Sequence, residues 1–332
     1  SSYFEKRFND TSGTIRLVAT AVSLVFFTFY ISAGIVALGR ALGATFGFSY
    51  LTSIILGTLT VSIYTVLGGF VAVAWNDFFQ GMFVLFVIIG FPIYAIFNFG
   101  GASAVLASLQ QQNVTLNLIP SFSLASLTYI FVPAFAWGIG YFGQPHILVN
   151  FMGIDDPNDI KKAKRVGISW QIIAMSCATL IGLLGAVYFK TGIHDSELVF
   201  IDLVKMLCNP LIAGFILCAI LAAAISTMDS QILVSASMLS EDIYKKTFHK
   251  NISSKNQLLV SRISGVLITL FSFYLAFDNS ESIWALVRYA WYGLGSSFGA
   301  LLILSLYSKK INKSGAIAGI ISGCLTAFLW QY

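Results

Sequence analysis

Leu221-Ala-Ala-Ala-Ile-Ser-Thr-Met-Asp-Ser-Gln231 sets hydroxyls and a carboxylate in the middle of an apolar run from about Leu211 to Ser240. Polar groups at membrane depth are costly and are kept mainly where they line a pathway or bind something. On a helix, Ala223, Ser226, Thr227 and Ser230 fall at i, i+3, i+4 and i+7, which is one face. A backbone carbonyl one turn below two adjacent hydroxyls is a cluster of neutral oxygens. Such a cluster suits a small hard cation better than a soft metal. The competing reading is that Ser and Thr bond back to the preceding turn or join two helices. Asp229, on the neighbouring arc, shifts the balance toward the ion site.

The rest of the chain places this segment in a bilayer. Hydrophobic residues make up 57% of the 332 and charged residues 10%, with a mean hydropathy of +0.84. A soluble domain carries roughly 25% charged residues. About 20 apolar residues cross the hydrocarbon core as a helix. By that measure there are nine candidate spans, at about 14–38, 51–74, 78–99, 126–149, 166–188, 211–240, 258–277, 283–306 and 314–331. The predicted class is an all-α membrane protein of about nine transmembrane helices, a single polytopic domain lying in the lipid bilayer. Cys177, Cys208, Cys218 and Cys324 form no CxxC pair, which argues against a zinc site or a disulfide framework.

The net charge of +5 sorts by topology. One set of alternate loops and helix ends carries Lys6, Arg7, Arg16, Lys161, Lys162, Lys164, Arg165, Lys245, Lys246, Lys250, Lys255, Arg262, Lys309, Lys310 and Lys313. The other carries Arg40, Lys190, Lys205 and Arg288. Fifteen cations against four is a strong positive-inside bias and puts the N-terminal segment in the cytoplasm. It gives no sign of nucleic-acid binding. Ser1 to Asp10 is polar and charged and reads as a cytoplasmic loop entered in mid-protein, so the chain reads as a fragment. No nucleophile–base pair or phosphate-cradling Gly loop is visible, which argues against an enzyme.

The span near 126–149 reads Phe135-Ala-Trp-Gly-Ile-Gly-Tyr-Phe-Gly-Gln-Pro-His146. Three glycines and a proline within eight residues weaken or break a helix. Interrupted membrane helices often mark the substrate and ion site of secondary transporters. A simple Pro kink with interfacial aromatics is the alternative. Trp137, Tyr141 and Pro145 form a stripe if the first half stays helical. Asp77 stands at the inner boundary between two spans, where a carboxylate is commonly a helix N-cap. Gly68-Gly69 reads as close helix packing. Glu241 and Asp242 end the long helix and read as solvated. The stretch near 191–208 is expected to form a short surface helix that caps the structure.

The chain resembles the sodium:solute symporter family, on its proline branch. The likeness is carried by Tyr3-Phe-Glu-Lys-Arg-Phe8, Phe26-Phe-Thr-Phe-Tyr-Ile-Ser-Ala-Gly34, Tyr64-Thr-Val-Leu-Gly-Gly-Phe-Val-Ala-Val-Ala-Trp75, Trp137-Gly-Ile-Gly-Tyr-Phe-Gly-Gln-Pro-His-Ile147, Ala219-Ile-Leu-Ala-Ala-Ala-Ile-Ser-Thr227 and Tyr289-Ala-Trp-Tyr-Gly-Leu-Gly295. It implies a leucine-transporter-type inverted-repeat fold, partial here. The last three helices of the first repeat and all of the second would be present, and N-terminal helices would be missing. It implies sodium-coupled symport of proline by alternating access. Sodium, the co-transported ion, would be held by the carbonyl of Ala223 and the hydroxyls of Ser226 and Thr227. Some members bind a further sodium beside the carboxylate matching Asp77. Its other positions are Asp229 and Ser230 here. A neutral side chain is common at Asp229, so a more acidic second sodium site of Asp77, Asp229 and Ser230 is an expectation specific to this chain. Substrate contacts would come from Tyr30, Trp137, Tyr141 and Pro145. The alternatives are another small solute such as pantothenate or a different amino acid, the membrane sensor domain of a signalling protein, or an inactive piece of a split gene.

Overall fold

The computed structural model describes all residues except 118, 120, 191, 194, 250, 279, 331 and 332. Lys250, one of the sorted cations, and positions 191 and 194 of the 191–208 stretch lie outside the described residues. Among those described, all regular structure is helical. Seven helices are long and apolar enough to cross a membrane, and a shorter apolar helix covers Lys313–Leu329.

Helix α2 (Thr14–Phe46) is the central element, following the short α1 (Ser2–Arg7). Gly13 and Gly47 bound it, both at positive φ (72° and 74°), a conformation glycine adopts without steric cost. Phe27, Ile31 and Ile35 recur every fourth residue and are fully buried. Against this face runs α9 (Pro210–Ser237), which carries the oxygen-rich stretch. The two helices run in opposite directions. Gly34 meets Met228 in the middle, while Arg16 Nε donates to the Asp242 carbonyl at one end (3.2 Å). A Cβ on Gly34 would lie 2.2 Å from Met228 Cγ, so the small residue sets the approach of the helices.

Helix α3 (Tyr50–Asn98) resolves the two candidate spans at 51–74 and 78–99. Its 49 residues would reach about 74 Å if straight. Gly69 instead has φ 63° and ψ −164°, a region open essentially to Gly alone, and it folds the helix back on itself. Tyr50 Oη donates to the Ala276 carbonyl, and Tyr94 Oη donates to the Leu207 carbonyl. The two arms therefore return to the same end of the molecule. This corrects two expectations. Gly68-Gly69 is a backbone break rather than a site of packing between helices, since a Cβ on Gly69 would meet nothing within 4 Å and one on Gly68 would meet only Ala72, across the break in the same helix. Asp77 lies inside the second arm and caps no turn.

The predicted interruption near 138–145 is present. Helix α4 (Ala102–Gln111) lies in the loop that follows α3. Helix α5 (Leu124–Gly140) runs into a 3₁₀ turn at Tyr141–Gly143, and α6 (Pro145–Met152) resumes with proline at its start. Two glycines of the interruption, Gly140 and Gly143, serve close packing. Helix α11 (Ile283–Leu294) passes into a π-helical turn at Gly295–Gly299 and then α12 (Ala300–Tyr307), and the break lies against this turn. A Cβ on Gly143 would fall 2.5 Å from the Leu294 carbonyl oxygen and 2.7 Å from Gly295 Cα. One on Gly299 would fall 2.8 Å from the Ile139 oxygen. Helices α7 (Ile160–Tyr188), α8 (Val199–Leu207), α10 (Ser254–Leu275) and α13 (Lys313–Leu329) complete the bundle. As expected of the 191–208 stretch, α8 forms, and it buries Ile201, Leu203 and Val204.

The cation-rich loops gather at one end. Arg16 pairs with Glu5 (2.5 Å), and Lys313 pairs with Asp10 (2.7 Å). Arg7 donates to the Ser305 and Ser308 carbonyls. Burial by itself would raise the Asp10 pKa. The Lys313 ammonium, the Ile15 amide and the contacts from Ser12 outweigh it and hold the carboxyl below its ordinary value. Asp242 is buried rather than solvated, bonded to Ser1 and Lys246. At the opposite end Arg40 pairs with Glu197 (2.5 Å) and donates to the Glu281 carbonyl (2.9 Å).

Gly143→Ala is expected to destabilise the folded protein by about 1–3 kcal/mol, because its Cβ meets backbone that has nowhere to go. Gly138→Ala, whose Cβ meets nothing within 4 Å, should leave stability unchanged or slightly raised. Thermal unfolding in detergent, followed by loss of monodisperse protein, separates the two; equal midpoints would contradict the packing described.

Candidate functional site

Helix α9 crosses the molecule as 28 residues, and the polar arc read from the sequence lies midway along it. Thr227 Oγ1 donates to the Ala223 carbonyl at 3.2 Å. This is the back-bonding expected of a helical threonine, and it brings together two of the three oxygens predicted for the first cation. A carbonyl oxygen has two lone pairs and a hydroxyl oxygen can still accept, so this bond leaves both free to ligate. Ser226 sits one residue before, half-buried, and its hydroxyl faces Asp77.

The second predicted set converges more tightly. Ser230 Oγ donates to Asp77 Oδ2 at 2.9 Å, joining α9 to the second arm of α3. Asp229 is fully buried and faces Asp77 across the helix interface. Tyr64 Oη donates to Asp229 Oδ2 at 2.6 Å, and Asn76 Nδ2 donates to the same oxygen at 3.4 Å. The remaining oxygens, Asp77 Oδ1 and Asp229 Oδ1, are buried and accept no hydrogen bond from the described residues. Two carboxylates that face each other repel unless a cation or a proton lies between them. Hydroxyl and carboxylate oxygens with two unengaged acceptors form a hard-donor set of the kind that takes a small cation.

The aromatic candidates surround the break between α5 and α6. Tyr30, on α2, meets the edge of the buried His146 (5.8 Å between ring centres), and Phe27 meets the same imidazole at 5.6 Å. Tyr141, in the 3₁₀ turn, stands edge-on to Trp291 at 4.9 Å. Pro145 opens α6. Pro145 and His146 share the wall of a cavity of about 790 Å³ with Asp77 and Ser230, and the same cavity reaches Asp242 and Arg262. It thus runs from Asp77 to the cation-rich end. Trp137 is placed differently. Its ring is stacked on Trp291 (4.5 Å, 8° between planes) and on Trp284 (5.5 Å, 21°).

Sequence reasoning overlooked Tyr64 and Asn76 as partners of Asp229, and Trp284 and Trp291 as partners of Trp137. Nothing local marks Tyr64 or Asn76, because their role arises from the fold-back at Gly69. The tryptophan pair carried a readable signal, a spacing of seven residues that puts both rings on one helix face.

With this geometry in hand, three comparisons place the chain. A sequence model of the sodium:solute symporter family matches residues 1–323. The osmoregulated proline transporter OpuE of Bacillus subtilis is 40% identical over 331 residues, covering 99% of this chain and 67% of that protein. The high-affinity proline transporter PutP of the same organism is 40% identical, with 99% and 69% covered. The sodium/proline symporter of Escherichia coli is 36% identical over 337 residues, with 99% and 66% covered. The chain therefore spans about two thirds of the length of these relatives. A Na⁺-coupled sialic acid symporter, solved in a substrate-bound outward-open state, superposes with a TM-score of 0.78 at 20% identity, over 99% of this chain and 76% of that one. The chain is a multi-pass membrane protein and belongs to the sodium:solute symporter family.

Proposed function

We propose that the chain carries sodium-coupled symport of proline into the cell by alternating access. The observation that carries this reading is the convergence of Ser226, Asp229 and Ser230 of α9 on Asp77 of the folded-back α3, beside a broken helix lined with aromatic rings. The relatives at 36–40% identity, named as proline transporters, support proline as the solute.

In this reading sodium is cargo. One ion is held by the Ala223 carbonyl, Ser226 and Thr227, and a second by Asp77, Asp229 and Ser230. Proline is taken by Tyr30, Tyr141 and Pro145, with Trp137 setting the wall beside them. A flat apolar ring with a secondary ammonium suits aromatic faces, and backbone groups freed at the helix break suit the carboxylate. Each ligand favours binding of the other, and that coupling is reciprocal. The architecture that accommodates these roles is a leucine-transporter-type inverted repeat in one polytopic domain. The two arms of α3 count as separate spans, giving nine with α13. The last three helices of the first repeat and all of the second are represented. The cation-rich end faces the cytoplasm, as the positive-inside bias requires. The cavity leading there from Asp77 is then the route by which both ligands leave.

In the transporter reconstituted in proteoliposomes, Ser226→Ala or Thr227→Ala is expected to raise the sodium concentration for half-maximal proline uptake, with little change in membrane insertion. Unchanged sodium dependence in both variants would remove the first ion from this position. Asp229→Asn deletes a charged ligand, and a hydrogen bond or ligand to a charged group is worth about tenfold or more in affinity. Sodium titration of proline binding should shift by at least that factor, while binding at saturating sodium is retained. A titration that superposes on the wild type would make Asp229 a purely structural carboxylate.

A further inference from the structure

We propose that Trp284 and Trp291 form a clamp that positions the broken helix by gripping Trp137 between them. This deepens the proline-symport reading and rests on it for its functional consequence. The geometry is a sandwich. Trp284 and Trp291 lie seven residues apart on α11, about 10.5 Å along its axis, which matches the two centroid separations laid end to end. The planes are tilted by only 8° and 21°. Trp137 therefore has a ring against each π face. It has no free face to offer a ligand, so it acts on the site by holding the segment that carries Tyr141 and Pro145. Trp291 also supports Tyr141 directly through an edge-on contact at 4.9 Å.

The clamp is anchored at its far end. Glu197 accepts from the Trp284 amide (2.9 Å) and the Ile283 amide (3.1 Å), the exposed donors at the start of α11. Its carboxylate also pairs with Arg40 of α2 at 2.5 Å. A carboxylate at a helix N-terminus is stabilised by the unsatisfied amides and the helix dipole. Tyr30 is on α2 as well. The path Arg40, Glu197, α11, Trp284 and Trp291, Trp137 thus ties the helix bearing Tyr30 to the break bearing Tyr141. The fit has no slack, since a Cβ on Gly140 would lie 2.2 Å from Trp291 Nε1.

The test uses the full chain with two readouts. Stacked indoles give an exciton couplet in far-ultraviolet circular dichroism, which reports the clamp without any ligand. The couplet is expected in the wild type, and it should weaken in Trp284→Phe and in Gly140→Ala and vanish in Trp137→Phe. The second readout is proline uptake in proteoliposomes. Trp291→Ala should raise the proline concentration for half-maximal uptake roughly fivefold, about the worth of one ring–ring contact, without moving the sodium dependence. Trp291→Phe should restore most of the loss. In a Trp137→Phe background Trp291→Ala should cost clearly less than in the wild type, the remainder being its edge-on contact with Tyr141, because two residues of one device are not additive. Absence of the couplet, or independent effects of Trp137 and Trp291 on uptake, would overturn the clamp. A wild type that shows the couplet but binds no proline would refute the transport reading, and with it the positioning role, while leaving the sandwich standing as structure.

Discussion

Asp229 is the interaction on which the packing of the long helices depends. It is fully buried, and an unpartnered charge at such depth costs several kcal/mol even after relaxation. The partners that offset this cost come from both arms of α3. Tyr64 precedes the break at Gly69 and Asn76 follows it. One carboxylate therefore holds the two arms against α9 at once, and the same crossing brings Asp77 opposite Ser230. Moving Asp229 would loosen the arms and pull apart the oxygen cluster together. Fold and site share one polar contact.

Much of the fold was legible because the bilayer imposes a simple rule. Apolar runs must be about as long as the membrane is thick, and their backbone must close its own hydrogen bonds. The predicted spans accordingly fall on observed helical segments, although only seven helices reach membrane length among the described residues, two predicted spans share α3 and the last is the shorter α13. The glycine–proline run at 138–145 marks a real interruption. What escaped was the role of individual glycines. Gly68-Gly69 and Gly140 look alike in sequence, yet the first pair folds a helix back and the second lets an indole approach. The difference lies in φ and in the neighbour, and both are set by distant chain. Asp242 was misjudged for a related reason. Its position at a helix end suggests solvent, but the segment 1–16 covers it.

The site was legible along α9 and opaque across helices. Helical periodicity alone groups Ala223, Ser226, Thr227 and Ser230 on one face, and the structure keeps them there. That Asp77 meets this face depends on the register between α3 and α9, which no local pattern encodes. The aromatic stripe shows the same limit. Trp137, Tyr141 and Pro145 follow a helical spacing only up to the 3₁₀ turn at Tyr141. Beyond it, Pro145 turns to the cavity with His146, while Trp137 is engaged by α11. A stripe defined by sequence divides between two environments once the helix breaks.

The contacts of the first ten residues bear on biosynthesis. Arg7 satisfies carbonyls at Ser305 and Ser308, and Asp10 is buried against Lys313. These partners are some 300 residues downstream. At about 5–20 residues per second, ribosomes need roughly 15–60 s to deliver them. During that interval the early segment carries a guanidinium and a carboxylate with no tertiary partner, and α2 has already entered the membrane. Docking of this segment therefore waits for the stretch from Ser305 to Lys313 and reports that α12 has arrived. Quality-control machinery that recognises unpaired charge beside a membrane helix would find its signal here, and delivery of Ser305 to Lys313 would erase it.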